Sequence, residues 1–204
     1  MVKFKNINEF FEEPTDLLNI PKIICVQYGE RIGSDGIPLD VTSRVKSPFS
    51  PLLLRTSNGI MENVWQFSKV YPEHVDVNGE IKDEWFRWRE KGLNSRWAIL
   101  HPMGIDARPL FFIWGDKKIQ YVEARKKIYI PVYSNAVLDN SKKEFDTLVE
   151  CWNCFRENGK NLYLRDFDGY NRYKFSMSLE DVINCTSKQM GHSFVLEKMI
   201  LSKQ

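Results

Sequence analysis

Few stretches of this chain can be strands, and their irregular placement limits the fold more than any other feature. KIICVQYG (22–29), PLFFIW (109–114) and NLYLR (161–165) are short and apolar, rich in β-branched or aromatic residues. LLLR (52–55) is a shorter candidate. Between them run segments of helical periodicity. Glu80–Lys91 places Ile81, Trp85 and Trp88 on one face, and Lys142–Asn158 gathers Phe145, Leu148, Val149, Trp152 and Phe155 on one side. Leu179–Asn184, Lys188–Leu201 and a segment over Asn6–Leu18, interrupted by Pro14, are also predicted helices. Gln120–Val132 is open: Tyr121, Val122, Ala124 and Arg125 suit a helix, whereas IYIPVY prefers extended structure. Strands and helices do not alternate as they do in a doubly wound sheet. The pattern predicts an α+β fold, a mostly helical single domain over residues 1–204 with a small β-sheet.

The length of 204 residues and a hydrophobic content of 43% suffice for a core without covalent staples. No apolar run approaches the ~20 residues needed to span a bilayer. The N-terminal stretch is too acidic for a secretory signal, so the expected location is the cytoplasm, with no membrane partner. The 29 basic and 27 acidic residues nearly balance, which argues against a nucleic-acid coat but leaves nucleic acid possible as a partner. Cys151 and Cys154 have redox or zinc spacing, yet no second pair and no nearby histidine completes a metal site; they read as thiols on a helix.

Three features bear on chemistry. The first is GIMENVWQFSKVYP (59–72). Read as one helix, it sets Glu62, Gln66 and Lys69 in a narrow polar arc, with Ile60, Val64, Phe67 and Tyr71 nearly opposite. A carboxylate beside the Trp65 indole is partly desolvated, which raises its pKa and suits a general acid or base; an ordinary polar helix edge has the same pattern. The second is Asp166-Phe-Asp168-Gly169, two carboxylates directly after a strand. Such a pair can meet Mg²⁺, open a phosphatase site, accept hydrogen bonds from a ribose, or close an Asp-Gly turn. Only 35 residues follow Gly169, too few for the remaining motifs of the haloacid-dehalogenase phosphatases. The third is the glycine- and proline-rich loop over 29–51, whose length suits either function or disorder. Nucleophile-elbow, P-loop and dinucleotide-binding motifs are absent. Of the histidines, His74 and His101 are expected in exposed loops, and His192 reads as a structural residue at a helix start.

SPFSPLLLRTSNGIMENVWQFSKVY resembles the signature of the NADAR family, in which a phenylalanine-bearing stretch and a glycine turn precede a helix carrying a glutamate, an aromatic, a glutamine and a lysine. Phe49, Gly59, Glu62, Trp65, Gln66 and Lys69 stand in those places. Met190-Gly191 is similar to the start of the family's last helix, and Asp166–Tyr170 occupies roughly the place of its acidic or aromatic glycine loop. Glu62-Asn63-Val64 replaces the usual glutamate-histidine-tyrosine.

The resemblance implies a small α+β N-glycosidase acting on a nucleotide, an ADP-ribosyl group or a modified base. It implies Glu62 as the carboxylate near the anomeric carbon, with Asp166 joining it in catalysis. Trp65 or Trp114 would stack on the base, and Gln66 would read a substrate hydroxyl or phosphate. Lys69 and Arg125 would hold phosphate, Asp166 or Asp168 would meet the ribose hydroxyls, and Gly169 would stand with Asp168 among the substrate-binding residues. Such cleavage requires neither metal nor cofactor. Two other readings stand beside it: a nucleotide-binding protein without turnover, and an interaction domain using Trp85, Arg87, Trp88, Arg89 and Trp97.

Overall fold

The computed structural model describes residues 20–41 and 47–203, so the expected helix over Asn6–Leu18 lies outside the described residues. β1 (Ile23–Gln27) buries its first four residues in succession, as a strand covered on both faces does. β2 (Gly36–Asp40) carries Pro38, which a strand tolerates at a sheet edge. Of LLLR, only Arg55 lies in a strand. The N–H groups of Leu53 and Leu54 turn back to the Ser50 carbonyl, leaving β3 (Arg55–Thr56) and β4 (Gly59–Ile60) as a two-residue hairpin.

α1 (Met61–Gln66) is shorter than the 59–72 periodicity predicts. Phe67 caps it, with its N–H on the Asn63 carbonyl, and Lys69 already belongs to β5 (Lys69–Val70). α2 (Asp83–Leu93) follows. β5 then pairs antiparallel with β6 (Phe111–Trp114), which pairs with β7 (Lys117–Ile119) across the Gly115-Asp116 turn.

The ambiguous segment is helical throughout. α3 (Tyr121–Ala124) passes through a π turn at Arg125–Tyr129 into α4 (Ile130–Asn140). Pro131 has no N–H to give the preceding turn, and the wider π turn ends two residues before it. Burial of Ile128, Tyr129 and Tyr133 overrides the extended preference of IYIPVY.

α5 (Lys142–Glu157) buries Phe145, Leu148 and Trp152 and leaves Cys151 and Cys154 exposed. β8 (Asn161–Asp166) inserts between β1 and β2, parallel to both. α6 (Leu179–Asn184) opens with a Ser178–Asp181 capping box. The last helix, α7 (His192–Leu201), begins four residues later than the sequence suggests, with Gly191 as its N-cap.

The main core joins β1 and β8 to α4, α5 and α7. A smaller core of Val64, Phe112, Ile119, Ala124 and Ile128 lies under the β5–β6–β7 sheet, and Trp65 packs on both. The fold is therefore α+β, with three small sheets rather than one among the described residues. No helix among the described residues is long and apolar enough to cross a membrane. Eight of the ten α7 residues are buried, so α7 runs through the interior and its polar His192, Ser193 and Glu197 need partners there.

Candidate functional site

Two buried polar groups, one on α1 and one at the carboxyl end of β8, lie within electrostatic reach of each other; open parallel sheets commonly bind ligands at the latter edge. The first is the edge of α1. Lys69 Nζ donates to Gln66 Oε1 at 2.7 Å, and Gln66 Nε2 donates to Glu62 Oε1 at 2.7 Å. The three side chains thus remain in line although Lys69 has left the helix. They do not face open water: Glu62 is 7% exposed and Gln66 6%.

Burial is the chief cause that raises the Glu62 carboxyl above its ordinary range; the Gln66 bond and the Lys69 charge oppose it. Burial also lowers the Lys69 ammonium to about 8, against the pull of Glu62. Among the described residues, Glu62 Oε2 accepts no hydrogen bond. Asn63, wholly buried, donates to the Trp97 carbonyl and accepts from the Ile99 N–H, which pins the segment after α2 onto α1.

The second group lies at the end of β8. Asp166 is 3% exposed. Its Oδ1 accepts the Phe167 N–H at 2.7 Å; its Oδ2 takes the Ser193 N–H at 3.1 Å and lies 3.2 Å from His192 Nδ1. Asp166 therefore caps α7 from another element, replacing the side chain that Gly191 lacks. A Cβ at Gly191 would run into Asp166 Oδ2, so glycine alone permits this approach. A Cβ at Gly169 would meet the Val26 carbonyl, which fixes the Asp-Gly turn against β1. His192 Nε2 bonds the Val41 carbonyl, so both ring nitrogens are engaged.

Asp168 behaves differently from Asp166. It lies on the surface side of the turn, where the Gln189 amide, nitrogen turned inward, donates to its carboxylate. Desolvation and then the Asp166 charge raise its carboxyl, while His192 and His101 lower it.

Aromatic rings join the two groups. Trp65 lies 5.1 Å from Tyr129 between ring centres, Tyr129 stacks on Tyr133 at 6.2 Å, and Tyr133 lies 5.7 Å from His192. Tyr133 donates to the Phe49 carbonyl at 2.6 Å, which ties in the loop before α1. Tyr129 is 8% exposed, and its hydroxyl makes no hydrogen bond to a described residue. Burial raises its phenol well above the usual range, reinforced by the charges of Glu62, Asp166 and Asp168. Tyr129 thus stands within electrostatic reach of all three carboxylates.

Several expected site residues lie elsewhere or are already engaged. Arg125 is no phosphate grip: it is 1% exposed, and its Nη1 donates to the carbonyls of Val182, Ile183 and Cys185 at the end of α6. Its Nη2 serves the Lys188 carbonyl and the Tyr121 hydroxyl. The cation satisfies helix-end acceptors that would otherwise be orphaned. Trp114 ends β6 and packs on the smaller core beside Val64, on the opposite side of α1 from Glu62. Trp65 stays near Glu62, but it packs on Phe112, Tyr121 and Tyr129 and has Lys69 Nζ 5.3 Å from its ring centre. His74 is buried rather than exposed, because its Nδ1 accepts the Tyr71 N–H and its ring packs on Trp88. His101 is exposed as expected.

Tyr129, Tyr133 and Asn63 carry no sequence signal for a site, apart from a tyrosine spacing of four that becomes informative once the segment is helical. A second buried polar cluster joins α7 to β1 and to the segment that follows the Asp-Gly turn. Arg172 donates from Nε and Nη2 to Glu197 Oε1 at 3.0 and 2.8 Å, and Cys25 Sγ lies 3.5 Å from Glu197 Oε2. Compared with known proteins, the chain matches no family model, no curated protein and no solved structure.

Proposed function

We propose that this chain is a cytoplasmic N-glycosidase of the NADAR type, cleaving the bond between a ribosyl carbon and the base of a nucleotide, an ADP-ribosylated base or another modified base. The observation that carries this reading is Glu62: a buried carboxyl with one oxygen fixed by Gln66, the other without a hydrogen bond to a described residue, and Lys69 and Asp168 within electrostatic reach. Scission of an N-glycosidic bond develops positive charge at the anomeric carbon, and a fixed carboxylate there stabilises it. In this reading Glu62 takes a proton from the attacking water. The water oxygen bonds to the anomeric carbon as the carbon–nitrogen bond breaks, and the base leaves with the bonding electrons and takes up a proton. Lys69 faces a substrate phosphate, Asp168 the ribose hydroxyls, and Tyr129 lines the site between them.

Asp166 holds the scaffold, since both its oxygens are engaged. That engagement, with the loss of Arg125 from the phosphate role, favours one second reading: a nucleotide-binding protein that keeps the pocket chemistry without turnover. Incubation of the protein with ADP-ribosylated DNA and with nucleotides, followed by chromatography, separates the two. Release of base or ADP-ribose by the wild type and its loss in Glu62→Gln supports hydrolysis. Thermal stabilisation by ADP-ribose or a nucleotide without release supports the binder, and neither result sinks both.

A further inference from the structure

Away from Glu62, two cavities of ≈ 380 and ≈ 390 Å³ adjoin at Asn58, Arg89 and Leu93. They form one groove between α2, the β3–β4 turn and the end of β6. Val64 lines it, and Val64 is two positions from Glu62 on a helix, so the groove and the carboxyl face opposite sides of α1. Each volume lies in the range of small-ligand clefts, about 300–1,000 Å³.

Arg89 sets the chemistry of this groove. It is half-buried, its Nε is shielded from solvent without a hydrogen-bond partner, and no described residue gives its guanidinium a hydrogen bond or an ion pair. Its guanidinium carbon lies 5.3 Å from the ring centre of the wholly buried Trp85, which braces it from within. Arg125 and Arg172, by contrast, have their donors on carbonyls, a hydroxyl or a carboxylate, and Arg165, whose Nε is likewise unbonded, has the Asp40 carboxylate 3.8 Å from its Nη1. A partly desolvated cation without a counter-charge is costly, and the planar fork of its N–H groups matches a carboxylate or phosphate edge. The walls beside it are apolar and flat: Phe86 is 53% exposed at one cavity, and Trp114 lines the other. Glu90 also lines the groove and opposes a second negative charge in the ligand.

We propose that this groove is a second binding site, for a small molecule with a singly charged oxyanion joined to a flat aromatic group. Arg89 grips the oxyanion, Phe86 and Trp114 flank the ring, and the amides of Asn58 and Asn94 offer further hydrogen bonds. A carboxylate and a phosphodiester share this chemistry. Calorimetric titration of the full chain with indole-3-acetate and with thymidylyl-thymidine distinguishes the two, with inorganic phosphate as the charge-only control.

At least one aromatic probe binds, and Arg89→Met weakens it by about tenfold or more, the loss expected for a charged two-point contact. The same variant melts at or above the wild-type temperature, because an uncompensated cation has been removed. Phe86→Ala weakens the same probe at an unchanged melting temperature, and Glu62→Gln leaves binding intact. The proposal falls if neither aromatic probe binds, if phosphate alone binds as tightly, or if Arg89→Met binds like wild type. It also falls if Arg89→Met melts well below wild type, or if Glu62→Gln abolishes binding. None of these outcomes depends on whether the Glu62 site is catalytic.

Discussion

Replacing Glu62 by glutamine separates a functional carboxyl from a merely structural one. The substituted amide would keep an acceptor for Gln66 Nε2, so the 2.7 Å bond survives while the charge is lost. Burial is what raises the Glu62 carboxyl, so ionisation in the folded state is already disfavoured. Removing the charge relieves that cost and the repulsion from Asp168, and gives up attraction to Lys69. The net effect on stability is within about 1 kcal/mol, or no more than about 4 °C in melting temperature for a chain of this size. The sign with pH follows from linkage. A carboxyl whose folded pKa exceeds its unfolded value of 4.5 loses stability as pH rises, so any advantage of Glu62→Gln at pH 7 shrinks as the pH falls towards 4.5. Glu62→Ala instead strands Gln66 Nε2 in the interior and costs about 1–3 kcal/mol. If Glu62 is the general base, Glu62→Gln lowers the rate of base release by about 10²–10⁴-fold, or about 2.7–5.5 kcal/mol of barrier. The assays are single-turnover chromatography of the released base and thermal melts across pH. A Glu62→Gln protein that melts as low as Glu62→Ala, or releases base at the wild-type rate, refutes this account.

Lys69, lowered to about 8 in the fold from 10.5, is neutral there while the unfolded chain still binds its proton, so stability rises with pH between those values. Urea unfolding at pH 8 and 9.5 should show wild type gaining about 1–2 kcal/mol relative to Lys69→Met, a window chosen below the tyrosine titrations. Arg125→Met strands the carbonyls of Val182, Ile183, Cys185 and Lys188 and should cost about 3 kcal/mol or more, read as a lower urea midpoint at unchanged slope. A phosphate-binding Arg125 would instead lose ligand affinity at unchanged stability. Gly191→Ala pushes a methyl group onto Asp166 Oδ2 and should cost about 1–3 kcal/mol, with faster amide exchange at Ser193 as the local sign.

What the sequence showed clearly was what neighbours along the chain decide. The apolar run of β1 and the buried stripe of α5 are visible because burial there repeats with the period of the element. The true end of α1 is not visible, because Lys69 and Val70 leave the helix to pair with Phe112 and Phe111, some forty residues away. The Gln120–Val132 helix is hidden for a related reason: Tyr129 and Tyr133 fit a strand locally and a helix only once the core is assembled. Charge was harder still to read. Arg125 sits in a basic run that looks like a solvated face, and its partners are helix-end carbonyls that no side-chain pattern reveals.

The two aspartates of DFDG show how position after a strand turns one motif into two roles. β8 ends at Asp166, so Asp166 still points into the interior and finds the first turn of α7, whereas Asp168 lies beyond the strand, on a turn pressed against β1. Spacing alone would have kept them together. Their separation matters for chemistry, because a carboxylate with both oxygens bonded is a support, while one held only by a surface amide can exchange that partner for a substrate. The same distinction applies within α1 and α7. Glu197 is satisfied by Arg172 and Cys25, but Glu62 has one oxygen that no described residue bonds. Buried ionisable groups are commonly no more stabilising than apolar ones of equal volume, so a fold gains little by placing Glu62, Lys69 and Tyr129 there for packing alone. In the proposed reading a ligand completes them, beside the turn that follows β8.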